Sequence, residues 1–177
     1  MISVSEAIEL LRQAMTEEDI CAQHGLGEEL FLFASTLMPV VNVDLLVYND
    51  DGQFLLSRRN DPHSGIGWHV PGGCVRFKES IGHRIREVAR QELGITEMVV
   101  ENAPLGLLEF LINEGRNIAH QDERSHFITI VYKCHVGRDF IIDNHGLSDN
   151  DVGFVKWFTK LPEDMLEIQR KYGRIIR

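Results

Sequence analysis

Cysteine is scarce in this 177-residue chain, with only Cys21, Cys74 and Cys134 present. Their spacing holds no Cys-x-x-Cys pair and no zinc pattern, which excludes a disulfide framework and a structural zinc site. Three reduced thiols in a cytoplasmic protein are expected. Basic residues are also short, 18 Lys and Arg against 27 Asp and Glu, for a formal net charge of −9. Such a surface lacks the phosphate-neutralising patch on which nucleic-acid binding rests, so no nucleic-acid partner is expected. No apolar run reaches the ~20 residues of a membrane span. Leu30 to Val41 comes nearest, and Ser35 and Thr36 interrupt it. The N-terminus carries no basic, apolar, cleavable pattern, so neither a membrane partner nor secretion is expected.

What is present suits one globular domain. Apolar residues make up 44% and charged residues 25%, enough for a sizeable core. Ser3 to Met15 reads as a first helix with Ser3 or Ser5 as its cap, and Glu28 to Met38 as a second apolar segment. Val40 to Tyr48 reads as a buried strand, Asn49 to Gly52 as a hairpin turn and Phe54 to Arg58 as the returning strand. Trp68 to Val70 is a short extended segment, and Pro71-Gly72-Gly73 reads as a sharp turn because paired glycines allow positive φ. Strands follow at Met98 to Glu101, Leu105 to Leu111, Phe127 to Val136, Phe140 to Ile142 and Phe154 to Phe158, with a closing helix from Leu161 to Ile176. The order indicates a mixed sheet with two main helices, an α+β or α/β/α sandwich.

The chain is organised around Gly72 to Ile95. A helical pattern runs from about Ser80 to Leu93, and Gly94 supplies the positive-φ residue that ends it. At 100° per residue Ile81, Ile85 and Val88 share one face, and Glu92 lies in the middle of it. A carboxylate on a core-facing stripe needs an answer. Two answers are open: a salt bridge or protonated acid, or an oxygen ligand for Mg²⁺.

Gly73, Glu79, Glu92, Gly94 and Ile95 fall at the spacing of the Nudix box. In that register the box's Arg is Glu87, its next Glu is Val88, and the first Glu of its closing pair is Gln91. The pattern most resembles the GDP-mannose mannosyl hydrolase branch of the Nudix superfamily, which also replaces the first and second helix glutamates and keeps the last. Upstream, Phe54-Leu-Leu-Ser-Arg-Arg59 and Trp68-His-Val-Pro-Gly-Gly73 resemble that branch's Phe-Leu-Leu-Gly-Lys-Arg and Trp-Phe-Val-Pro-Gly-Gly, and Val43-Asp44-Leu45 matches its Leu-Asp-Phe. The similarity spans roughly residues 40 to 160. It implies a Nudix-type α/β/α sandwich over 40–177; residues 1–39 lie outside the resemblance and read as an N-terminal helical extension that packs on the fold's edge or makes a homodimer contact.

Site residues follow from the resemblance. Glu92 and the carbonyl oxygen of Gly72 are the expected metal ligands, and the branch's third ligand aligns with Asp151, beside Asp149 and Asn150. The implied cofactor is Mg²⁺, with Mn²⁺ as the alternative. Arg59 aligns with a phosphate-contacting arginine and is otherwise a solvated strand-end residue. Asp44 aligns with a substrate-site acid and is otherwise a turn cap or an arginine's partner. The branch's catalytic His falls on Val152, so the general base is open among His145 and His120 in two polar loops and His126 at a strand start, with His69 and His83 weaker. Glu79 is read as structural.

The activity this implies is Mg²⁺-dependent hydrolysis of a nucleoside diphosphate sugar, GDP-mannose-like, with water attacking the anomeric carbon. Two alternatives stand beside it: attack at phosphorus, as in an ordinary Nudix pyrophosphohydrolase, and nucleotide binding without catalysis.

Overall fold

The computed structural model describes residues 2–62, 64–111, 123 and 126–176. Helix α1 (Val4–Glu17) begins at Ser3, whose hydroxyl accepts from the Glu6 backbone while Glu6 returns the contact, a complete capping box. Helix α2 (Gly27–Leu37) follows. None of α1 is buried, and Leu32 is the buried residue of α2.

Among the described residues that follow, 8 strands form one mixed sheet. They are β1 (Val40–Tyr48), β2 (Phe54–Asp61), β3 (Gly65–His69), β4 (Gly72–Cys74), β5 (Val99–Val100), β6 (Gly106–Leu111), β7 (His126–His135) and β8 (Val155–Phe158). Helix α3 (Ile81–Leu93) joins β4 to β5. At the centre β1 runs parallel to β7 along its whole length. The other pairings are antiparallel.

Side chains alternate across β1. Val43, Leu45 and Val47 face α3 and pack with Ile85, Val88, Ala89 and Leu93. Leu46 faces the other way, into a second core with Phe54, Trp68, Phe110, Val131 and Tyr172. Each core aliphatic contributes about 1.5–3 kcal/mol through burial. Ser80 caps α3, and Gly94 ends it in the left-handed region at φ 66°.

Three expectations are corrected. Gly72 and Gly73 form strand β4, and neither has positive φ. Glycine is needed there for space, since a Cβ on Gly72 would lie 1.9 Å from Asp44 Oδ1. Phe140 to Ile142 is not a strand: Phe140 N–H closes a turn onto the Gly137 carbonyl, and its ring meets Trp157 edge-on. The closing helix is a 3₁₀ segment, Glu167–Arg174. Upstream of it, Met165 is held extended by its bridge to Trp68.

Glu79 is structural, as expected. It accepts from Arg84 Nε and Nη2 at 2.8 and 2.9 Å, from the Arg76 backbone at 2.9 Å and from His83. Burial alone raises its pKa, but these bonds and the Arg84 charge outweigh that and hold it at about 2. A depressed carboxyl stabilises the fold above its ordinary pKa and loses that contribution as pH falls toward the folded value. Glu79→Gln therefore costs about 2 kcal/mol near neutrality. Urea unfolding at a series of pH values is expected to show this gap closing between about pH 4.5 and pH 2.

Candidate active site

Strand phase places the site. Leu55 packs under α3, so Ser57 and Arg59, two and four residues on, share that face of β2. The β2–β3 register pairs Ser57 with His69, which brings His69 to the same face. The last turn of α3 then sets Glu92 above it, with His69 Nε2 3.9 Å from Glu92 Oε2.

Glu92 is 26% exposed and so is turned inward rather than out in solvent. Burial pushes its carboxyl up to about 7, against the Arg59 charge and a hydrogen bond from the Gly72 backbone. That bond follows from the sheet. Leu45 N–H donates to Pro71 O and Val75 N–H to Val41 O, so the alternation of an antiparallel ladder turns the N–H and C=O of Gly72 away from β1. The Gly72 carbonyl therefore lies on the outer edge of β4, the same edge as the N–H that Glu92 accepts from.

His69 is 4% exposed. Its Nδ1 lies 3.0 Å from Val70 O, which only accepts, so Nδ1 carries the proton and Nε2 keeps its lone pair. Burial, aided by Arg59, pushes the imidazole down to about 3, so it is neutral and cannot answer Glu92 as a cation. Arg59 is ion-paired with Asp61 at 3.0 Å.

Across β4, Asp44 is buried and accepts from the Tyr172 hydroxyl. Burial pushes it up to about 7; the Tyr172 bond opposes the rise, Glu92 adds to it and Arg59 opposes it. Two clefts meet here. One, of about 250 Å³, is lined by Asn42, Asp44, Phe110, Phe127, Thr129 and Gln169 among others. The other, of about 530 Å³, contains Glu92, Phe140, Asp143, His145 and Leu147. Arg59 and His69 line both.

Of the remaining candidates, His145 stands on the rim of the larger cleft, its side chain 81% exposed and its Nδ1 3.1 Å from Asp143 Oδ2. Asp151 is exposed and spends its carboxylate on the Ser148 backbone and hydroxyl, both at 2.7 Å. His126 Nε2 faces Glu109 Oε1 at 3.2 Å. His120 lies outside the described residues. Of the box positions, Val88 is core, and Glu87 is bound by Arg90 and Gln91.

The sequence ranks His69 below the loop histidines and does not single out Tyr172, yet both border the clefts or their acids. Strand phase held the first signal, because the neighbour of a core-facing Trp68 points to the opposite face. Nothing local joined Tyr172 to Asp44, 128 residues apart.

Among the described residues no three His, Cys, Asp or Glu side chains gather as a metal cluster. No arginine or lysine among them is ion-paired with Glu92. The carboxylate instead faces the lone pair of His69, so two acceptors oppose each other beside the outer edge of β4 that carries the Gly72 carbonyl. A divalent cation fits that arrangement, and Glu92 and Gly72 would hold it.

The sequence pattern that defines the NUDIX domain matches residues 38–172. The chain belongs to the Nudix family. Low-salt glycan biosynthesis protein Agl8 of Haloferax volcanii is 38% identical over 72 residues. That match covers 41% of this chain and 44% of the relative, so the chain spans under half the length of that relative. The MutT NUDIX hydrolase from Burkholderia pseudomallei aligns with TM-score 0.57 and 20% identity, over 79% of this chain and 99% of that one. The NUDIX domain of Shewanella oneidensis NrtR, complexed with ADP ribose, gives 0.54 and 14%, over 77% and 85%. At these identities the likenesses establish the Nudix fold alone. No helix among the described residues is long and apolar enough to cross a membrane.

Proposed function

We propose that this Nudix protein hydrolyses a nucleoside diphosphate sugar, GDP-mannose-like, by attack of water on the anomeric carbon, with Mg²⁺ or Mn²⁺ as cofactor. The observation that carries the reading is the thin acidic set of α3. Glu92 is its one carboxylate in the clefts, while Val88 is core and Glu87 is tied to Arg90. A site with one helix carboxylate suits one metal and a leaving diphosphate better than a multi-metal attack on phosphorus.

The clefts suit the two halves of such a substrate. The smaller offers Asn42, Thr129 and Gln169 for the edge of a nucleobase and Phe110 and Phe127 for its faces. Asn42 Oδ1 is buried and lacks a donor, as a base-reading amide would before its ligand arrives. Arg59, between the clefts, suits the diphosphate. Asp44 borders the substrate there. Two other observations lean the same way: the named relative belongs to glycan biosynthesis, and the NrtR domain is complexed with ADP ribose.

His145 is the base in this reading, because Asp143 on Nδ1 leaves Nε2 for a water. The water oxygen bonds to the anomeric carbon and its proton passes to His145 Nε2. The carbon–oxygen bond to the diphosphate breaks, and its electron pair leaves with the nucleoside diphosphate. A divalent ion, where Glu92 and the Gly72 carbonyl hold it, would supply charge neutralisation to that leaving group. Asp151 joins the ligands only by releasing Ser148, and His120 remains a second base candidate.

Product analysis tests the reading. With GDP-mannose and Mg²⁺, GDP plus free sugar is expected; GMP plus sugar phosphate contradicts attack at carbon. His145→Ala is expected to lower kcat on the order of 10²-fold with little change in KM. An unchanged kcat removes His145 from the mechanism.

A further inference from the structure

His69 is unexplained by its surroundings. It is 4% exposed, its tautomer is fixed by Val70, and no described residue donates to Nε2. Nε2 is open to the cleft that His69 lines. Here it also faces a second acceptor, Glu92 Oε2, at 3.9 Å, with both residues lining the larger cleft. Two donors each about 2.1 Å from one ion lie at most about 4.2 Å apart. The observed separation falls within that span.

We propose that His69 Nε2 is a nitrogen ligand which, together with the Glu92 carboxylate, holds the divalent ion. The proposal rests on the reading of Glu92 as a ligand. Its consequence is metal choice. Mg²⁺ takes oxygen donors, whereas imidazole suits the transition-series ions. A mixed nitrogen and oxygen pair therefore favours Mn²⁺ over Mg²⁺ more strongly than an all-oxygen site does. The Val70 carbonyl acts behind it, orienting the ring as the outer partners of metal-bound histidines do. The resemblance puts Phe at this position in the mannosyl hydrolase branch, so the nitrogen is a feature of this chain.

Pulsed electron paramagnetic resonance of the full-length protein loaded with Mn²⁺ reads the bond directly. The expected spectrum shows ¹⁴N coupling of a directly bound imidazole in the unaltered protein. In His69→Phe that coupling is lost, and titration calorimetry shows Mn²⁺ affinity falling about 10- to 100-fold, toward that for Mg²⁺. Manganese that binds and depends on Glu92 without ¹⁴N coupling overturns the role of His69 and leaves Glu92 standing. Manganese binding that Glu92→Gln leaves unchanged overturns both. The spectrum of the unaltered protein decides the matter even if His69→Phe folds poorly.

Discussion

Glu92→Gln is expected to reduce turnover on the order of 10³-fold, about 4 kcal/mol of transition-state stabilisation, while leaving the fold at least as stable. The two halves of this result have one cause. Burial works against the charged carboxylate and pushes it up to about 7. Without metal that charge is a cost to folding, which a neutral amide of the same shape removes. Catalysis loses the group that draws the cation into the cleft. Steady-state kinetics with Mg²⁺ and thermal melting in a chelator, run side by side above pH 7, check it. A variant that loses stability and activity together would mean that Glu92 is a structural acid.

Gly72→Ala is expected to cost at least about 3 kcal/mol and to abolish detectable activity. Its Cβ would sit 1.9 Å from Asp44 Oδ1 and 2.9 Å from the Val43 carbonyl. Asp44 cannot swing aside freely, because Tyr172 holds its other oxygen in a buried site. The strain must move β4, and with it the outer edge that carries the Gly72 carbonyl. Adding Asp44→Ala makes room. In a double-mutant cycle by urea unfolding, the pair is expected to be less destabilised than the sum of the singles by more than about 1 kcal/mol. Simple additivity would show that the collision is relieved elsewhere.

These two residues also mark what the sequence discloses. Helix α3 was legible because three local signals agree: Ser80 at its start, the apolar face of Ile81, Ile85 and Val88, and Gly94 at its end. Strand β1 was legible from its apolar run. The role of Gly72 was not, because the reason for glycine is the Asp44 carboxylate on the neighbouring strand, a contact made only by folding. The 3₁₀ segment was read as a longer helix because its apolar spacing fits both forms. Ahead of it the chain makes a turn, closed by the Met165 N–H on the Pro162 carbonyl, and Met165 then bridges to β3, so no helix forms there.

The candidate site divides in the same way. Glu92 and Arg59 carried signals in helix face and motif. His69 ranked below the loop histidines, and its place under the last turn of α3 is a contact made only by folding. Asp151 was reached by alignment alone, and its carboxylate is engaged by Ser148. The helix positions 87, 88 and 91 were legible in identity, and the structure adds where each goes: to Arg90, to the core and to Glu87.

Equilibrium dialysis of Mg²⁺ in the presence of GDP is the most direct measurement of the central claim, that a divalent ion answers the inward carboxylate of Glu92. Near-stoichiometric, saturable binding in the unaltered protein, lost in Glu92→Gln, is the predicted result. Equal binding by the two proteins would contradict it.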